Sequence, residues 1–387
     1  MNRLALSCLA ALAATAPAHA DFSACVASLK AEAARAGVSR ETLDRAFDGL
    51  RPDMKVLEFQ KAQPEFKTPV WDYVDSLVDA ERIADGKAAM AREAHALAYA
   101  ERTYGVSRYM LAAIWGVESN FGTEMGSRPL AQSLSTLACL GERASYFRSE
   151  LMAALKIVDR GDIPAEKLAG SWAGAFGQTQ FMPSSYLRLA APGSDGGRDI
   201  VDSAGDALAS TAHYFAKSGW RPGVPWGFEV KLPPDYSGPS GRKAKEPMPA
   251  WAARGIARID GRPLGGGEAG LLLPAGRDGP AFLVTHNFDV VYSYNAAESY
   301  SLAACVLADR LAGGPGIATP WPTDDPGLSR VERRELQTLL ARRGYDVGQP
   351  DGAIGNKTKE AIADFQGKAG LPVNGRASAK VLEALRR

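Results

Sequence analysis

The chain has 387 residues, with 45 Lys and Arg against 44 Asp and Glu, and a formal net charge of +1. That balance gives no electrostatic case for nucleic acid or an anionic membrane as the main partner. A composition of 46% hydrophobic and 23% charged residues excludes wholesale disorder, and the length allows more than one domain.

The first twenty residues, MNRLALSCLAALAATAPAHA, place Arg3 ahead of a short apolar run and end in Ala18-His19-Ala20. This order reads as a secretory signal peptide over residues 1–20, cut after Ala20. No other stretch approaches the roughly 18 uninterrupted apolar residues of a bilayer span, so no transmembrane segment is expected and the mature protein reads as exported and soluble. Removal of the leader takes Cys8 with it. Cys25, Cys139 and Cys305 remain, an odd number that allows one intramolecular bridge and one free thiol, and the sequence does not choose the pair. With four His in all and no Cys or His cluster at ligand spacing, no metal and no cofactor are expected.

From Asp21 to about Gly219, apolar residues recur at three and four positions, the period of amphipathic helices around a core. Between Trp220 and about Phe288, Gly and Pro crowd in, and the short runs FEVKL, ARID, GLLLP and AFLVTH read as strands of a small β-containing insertion. ESYSLAACVLADRL follows as one more amphipathic helix. Residues 312–327, AGGPGIATPWPTDDPG, have linker composition and precede a tail at 328–387 long enough to fold alone. Three helical patterns in the tail supply Leu336, Leu339, Leu340, Ile362, Phe365 and Leu382 to one small core.

Three stretches carry candidate chemistry. MLAAIWGVESNFG is apolar until Glu118, beside Trp115 and Phe121, and desolvation there would let the carboxyl keep its proton as a general acid. Read alone, a Glu at a helix end is more readily a solvated or capping residue. GSWAGAFGQTQFMPSSY offers small residues that would let an extended sugar chain lie against the backbone, or that would pack a helix pair tightly with an exposed polar edge. Its two amides, Gln178 and Gln180, suit sugar hydroxyls, and a Pro ends the segment. VVYSYNAAESY gathers Tyr292, Tyr294, Asn295 and Tyr300, whose rings can stack on pyranoses or equally belong to a core rim.

In this order, WGVESNFG, GSWAGAFGQTQFMPSSY and the Tyr-Asn segment with Tyr300 resemble the B-type lytic murein transglycosylases of the lysozyme-like superfamily. The resemblance covers nearly all of residues 21–311. It implies a mainly α (α+β) lysozyme-like catalytic domain, a periplasmic location, and peptidoglycan glycan strands as the partner, with a monomer expected. Glu118 is then implied to be the single catalytic acid/base. Gln180 and Ser171 are implied to bind the sugar, and Tyr294, Asn295 and Tyr300 to orient Glu118 or the saccharide. Ordinary glycosidases use two carboxylates, whereas these motifs supply one. A single carboxylate fits cleavage of the bond between N-acetylmuramic acid and N-acetylglucosamine by intramolecular closure of a 1,6-anhydro ring. A hydrolytic muramidase of the same fold and a non-catalytic wall-binding scaffold remain as alternatives.

Two departures from the family pattern stand out. An EF-hand-like calcium loop can follow the Phe-Met-Pro-Ser-Ser motif in B-type enzymes. Here APGSDGGRDIVDSAGDAL keeps Asp195, Asp199, Asp202 and Asp206 but has Ala191 and Gly193 where early oxygen ligands belong, so a complete ion site is not expected. Ala297 stands where the family commonly has Ser. In the tail, Asp351-Gly352-Ala353-Ile354-Gly355 and Thr358 resemble the loop of the three-helix peptidoglycan-binding domain. This implies a wall-binding module, a helical bundle for protein contacts being the other reading.

Overall fold

The computed structural model describes residues 16–60 and 68–387. The expected leader, with Cys8, lies outside the described residues apart from its last five positions. Among the described residues, seventeen α-helices, a five-stranded sheet and a two-stranded ribbon are distributed over two compact units that alternate along the chain. One comprises Met1–Gln63, Met125–Ala190 and Arg198–Ser203, and the other Pro64–Glu124, Ala191–Gly197 and Ala204–Arg387.

In the first unit, helix Leu130–Leu140 buries Leu130, Leu134 and Leu137, spaced at three and four, against the Leu151 and Leu155 face of helix Ala144–Asp159. A disulfide between Cys25 and Cys139 ties helix Ala16–Arg35 to it. Pro183 does not end a segment as expected. It opens helix Pro183–Leu189, where a residue without an N–H costs nothing because the first amides of a helix lack intrahelical acceptors. The buried Glu150 satisfies that helix start, accepting from the Ser184 N–H at 2.9 Å and its hydroxyl at 2.7 Å.

The second unit has one large core built from helices Ala80–Arg92, Ala94–Tyr104, Arg108–Ser119, Ala204–Lys217, His286–Tyr294 and Glu298–Leu311. Helix Glu298–Leu311 was expected to be amphipathic, yet 10 of its 14 residues are buried, so it is surrounded on nearly every side. Ala303, Ala304 and Ala308 keep it slim enough for that, and the free Cys305 is sealed within it.

The β-containing segment forms an antiparallel sheet in the order Glu246–Pro247, Glu268–Leu272, Ala281–Val284, Gly227–Lys231, Ala257–Arg258. Leu271 pairs with Leu283, and Leu283 with Phe228. These residues pack with Met248 and Trp251 of helix Met248–Ala253, whereas Leu272, Phe282 and Val284, one position out of step, join the helical core. Period-two alternation therefore gives the sheet two apolar faces. The edge strand Glu246–Pro247 and helix Met248–Ala253 are not legible as such among the surrounding Lys and Pro residues.

Helices Arg330–Arg342, Asn356–Ala369 and Ala379–Arg386 enclose their own small core of Leu336, Leu340, Ile362, Phe365, Val381, Leu382 and Leu385, with Leu339 at its edge. A reciprocal cap starts the first of them: the Ser329 hydroxyl accepts from the Glu332 N–H, and the Glu332 carboxylate accepts from the Ser329 N–H at 2.8 Å. Residues 312–327 have the composition of a spacer but are fixed in place. Ile317 and Trp321 pack on the large core, and the N–H groups of Ala318 and Thr319 each donate to Glu229 at 2.8 Å. No helix among the described residues is long and apolar enough to cross a membrane.

Candidate active site

Glu118 is the penultimate residue of helix Arg108–Ser119, whose Met110 to Gly116 run is entirely buried. The chain leaves this helix through two consecutive non-glycine residues in the left-handed region, Asn120 at φ 48° and Phe121 at φ 59°. Each conformation costs on the order of 1 kcal/mol and persists only where surrounding contacts impose it. Those contacts are present. The Asn120 N–H bonds Gly116 O at 3.1 Å, the Ser119 hydroxyl accepts from the Gly122 N–H at 2.9 Å, and the Glu124 N–H bonds Ser119 O at 2.8 Å.

The ring of Phe121 folds back over the helix and meets Trp115 edge-on, with centroids 5.7 Å apart. It occupies the space where side chains would otherwise stand on Gly116 and Gly86: a Cβ there would lie 2.6 and 2.7 Å from the ring. From the neighbouring helix, the buried Arg82 donates to Gly116 O, which thus accepts a second hydrogen bond beside that from the Asn120 N–H. Burial, aided by the nearby Arg330, pulls the Arg82 pKa down to about 10, so at neutral pH it remains a cation at the negative end of the helix dipole.

Tyr300, 1% exposed, donates its hydroxyl to Glu118 Oε1 at 2.5 Å. Glu118 itself is half-buried: part of its surface reaches solvent, while the carboxyl is enclosed enough that desolvation raises its pKa to about 7 against the lowering effect of the Tyr300 hydrogen bond. Tyr300 is pushed well above its ordinary pKa, first by burial and then by the charge of Glu118, so it stays a donor. A carboxyl poised near neutrality can both give and take a proton, which is the requirement for one group serving as acid and then base.

The structure thus brings Glu118 and Tyr300 together. Tyr294 packs edge-on against Tyr214 and Phe215, at 4.9 and 5.7 Å, and Asn295 forms the C-cap of helix His286–Tyr294. Tyr292 is covered by the Arg242 guanidinium, 3.6 Å from its ring centre. Ala297, where the family pattern has Ser, caps helix Glu298–Leu311 without a side-chain bond, and its carbonyl accepts from the Ser301 hydroxyl at 2.9 Å.

Ser171 and Gln180 belong to the first unit. Ser171 closes the 171–175 turn, its hydroxyl accepting from the Ala175 N–H at 3.1 Å. Gln180, at φ 52°, places both amide hydrogens on backbone carbonyls, Met125 O at 3.0 Å and Gly177 O at 2.9 Å, which turns its carbonyl oxygen into the face it can offer a ligand. Gln178 is buried and donates to Val201 O at 3.1 Å.

The glycines of this stretch differ from the expectation that they make room for sugar. A Cβ on Gly170 would meet Ala175 O at 2.1 Å, on Gly174 the Leu134 side chain at 2.5 Å, and on Gly177 the Ile200 side chain at 2.7 Å. The room is already filled by protein, so these glycines serve close backbone packing. Sequence reasoning also missed Arg82 and Arg330, because each reads as one more charge on an amphipathic helix.

A transglycosylase SLT domain model matches residues 21–309, and a peptidoglycan binding domain model matches residues 329–385. The chain belongs to the SLT transglycosylase family. Over 255 residues the chain is 28% identical to the membrane-bound lytic murein transglycosylase B of Escherichia coli (strain K12), covering 62% of this chain and 66% of that one. It therefore spans just under two thirds of that relative's length. The crystal structure of SltB3 from Pseudomonas aeruginosa in complex with NAG-anhNAM-pentapeptide matches at a TM-score of 0.76 with 43% identity, covering 95% of this chain and 99% of that one. The Escherichia coli lytic transglycosylase Slt35 in complex with calcium matches at 0.65 with 27% identity, over 76% and 93% of the two chains.

The aspartates between Asp195 and Asp206 do not fit a calcium loop, which needs six or more oxygen ligands. Asp206 is buried, with Oδ1 accepting from the Gly193 N–H at 2.7 Å. Asp199 Oδ1 accepts from the N–H groups of Val201 and Asp202 at 2.9 and 3.0 Å, and Asp202 pairs with Lys167. Among the described residues, no group of three or more His, Cys, Asp or Glu is placed to hold a metal ion.

Proposed function

We propose that this protein is a lytic transglycosylase that cleaves the β-1,4 bond between N-acetylmuramic acid and N-acetylglucosamine in peptidoglycan and leaves a 1,6-anhydromuramic end. The observation that carries the reading is the Glu118 carboxyl, with its pKa near 7 and oriented by the buried Tyr300. Glu118 starts protonated and gives its proton to the glycosidic oxygen as the bond from muramic C1 to that oxygen breaks. The N-acetyl group of the same sugar assists the oxocarbenium-like centre. The Glu118 carboxylate then takes the proton of the C6 hydroxyl, the C6 oxygen bonds to C1, and the acid form is restored with no water consumed. Tyr300 holds the carboxylate in place between the two proton transfers.

Within this reading, Gln180 and Ser171 contribute to saccharide binding, with Tyr294 and Asn295 near the scissile subsite. Residues 21–311 are the catalytic domain, 312–327 the connection and 328–387 the wall-binding module. Residues 1–20 direct export to the periplasm. The two family matches support the division, and the anhydro sugar in the SltB3 ligand supports the product assignment.

The test is mass spectrometry of purified peptidoglycan digested with the protein. Anhydromuramic ends are expected. Reducing muramic ends, heavier by one water, would overturn the mechanism, and full activity of a Glu118→Gln variant would remove Glu118 from its role.

A further inference from the structure

The tail reaches the turn that follows Glu118. Arg330, the first residue of helix Arg330–Arg342, is 8% exposed, and its Nη2 donates to Asn120 Oδ1 at 2.9 Å across 210 positions of sequence. Asn120 is the left-handed residue two places beyond Glu118, and its side chain is held at both ends, Nδ2 donating to Thr123 Oγ1 at 3.0 Å. The Arg330 N–H reaches Asp79 Oδ2 at 3.2 Å, while Asp79 Oδ1 caps helix Ala80–Arg92 by accepting from the Arg82 N–H at 2.8 Å. That same Arg82 binds Gly116 O. Behind Arg330 stands Gly352, in the Asp351–Gly355 loop: a Cβ on it would lie 2.9 Å from the Arg330 side chain.

We infer that Arg330 is a positioning residue for the transglycosylase reaction, so that the wall-binding module completes the support of the Glu118 turn. Physically, two consecutive left-handed residues are held only by their surroundings, and a buried guanidinium whose residue is tied to Asp79 through its backbone N–H, with Asp85 3.5 Å from Nη1, is a rigid donor for the Asn120 side chain. A small displacement of a catalytic carboxyl costs rate far more than binding. The inference rests on the reading of Glu118 as the acid/base.

The experiment compares full-length variants on a soluble, uncrosslinked glycan fragment, so that sacculus binding does not enter. Arg330→Ala should lower kcat about tenfold or more with KM within about twofold. Asn120→Gly, which tolerates the backbone conformation but loses the contact, should show the same split. The double variant should be no slower than the worse single variant. Arg330→Lys, which keeps the charge without the fork, should recover part of the rate. Arg334→Ala removes a tail-to-helix ion pair with Glu81, at 2.6 Å, that does not touch Asn120, and should keep kcat.

Additive losses in the double variant, a loss confined to KM, or equal losses in Arg330→Ala and Arg334→Ala would overturn the inference. If Arg330→Ala fails to fold, Asn120→Gly decides alone. Turnover by the unaltered chain with none by Glu118→Gln confirms the underlying reading separately, and no turnover by the unaltered chain sinks both.

Discussion

Tyr300, from a helix with 10 of its 14 residues buried, and Glu118, half-buried near the end of another, form a hydrogen bond of 2.5 Å. The bond opposes desolvation, which is the larger influence on Glu118. Tyr300→Phe should therefore raise the Glu118 pKa above about 7 and move the alkaline limb of the kcat/KM profile to higher pH, while lowering the maximum about tenfold through lost orientation. A pH profile on soluble glycan checks both, and an unmoved or acid-shifted limb would contradict the assignment.

The raised pKa has a thermodynamic counterpart. Between about 4.5 and about 7 the folded protein holds a proton on Glu118 that the unfolded chain has released, so stability falls as pH rises through that window. Above about 7 the whole penalty is present, about 3 kcal/mol at most from the shift. Glu118→Gln, which still accepts from Tyr300, should be more stable than the parent at pH 8 and equal to it at pH 4. Urea denaturation at the two pH values measures the difference.

Replacing a helical glycine with alanine usually stabilises by about 1 kcal/mol. Gly116→Ala should do the reverse, by about 1–3 kcal/mol, because the new Cβ would stand 2.6 Å from the Phe121 ring and the ring is pinned by Trp115. Gly86→Ala meets the same ring from the other side and should behave alike. Thermal melts give the sign. Activity should fall with stability in both variants, since Phe121 lies within the Glu118 turn.

The Cys25–Cys139 bridge spans 114 positions, and its removal by Cys25→Ser should cost roughly 2–5 kcal/mol. Cys305 is buried and its thiol is pushed well above its ordinary pKa by burial. A thiol reagent should therefore find no reactive group in the native protein and one after denaturation of the mature, unreduced chain. A second thiol under denaturing conditions would contradict the pairing.

Much of the fold could be read ahead of the structure because its signals are local. The apolar run ending at Glu118 marks a buried helix that ends in a half-buried carboxyl, and FEVKL and AFLVTH mark two strands that pair. The tail core of Leu336, Leu340, Ile362 and Phe365 follows from helical spacing alone. What escaped depends on distant partners. Gly170 and Gly177 look like room for a ligand until Ala175 and Ile200 are seen to occupy it. Pro183 looks like a stop until Glu150 supplies the acceptors for a helix start. Arg82 and Arg330 read as surface charge because nothing near them in sequence announces Gly116 or Asn120.

The anchoring of residues 312–327 and of the helices after them bears on how such enzymes can be rebuilt. A gene fusion that treated residues 328–387 as a portable tag would leave an acidic scar, Asp72, Asp79 and Glu81, on the parent surface. The excised piece would carry the matching basic scar of Arg334 and Arg376, with the Arg330 backbone N–H that Asp79 had accepted. Two family matches drawn side by side suggest interchangeable parts, whereas the carboxylates and guanidiniums along this seam were fitted to one another and would have to be transplanted as a set.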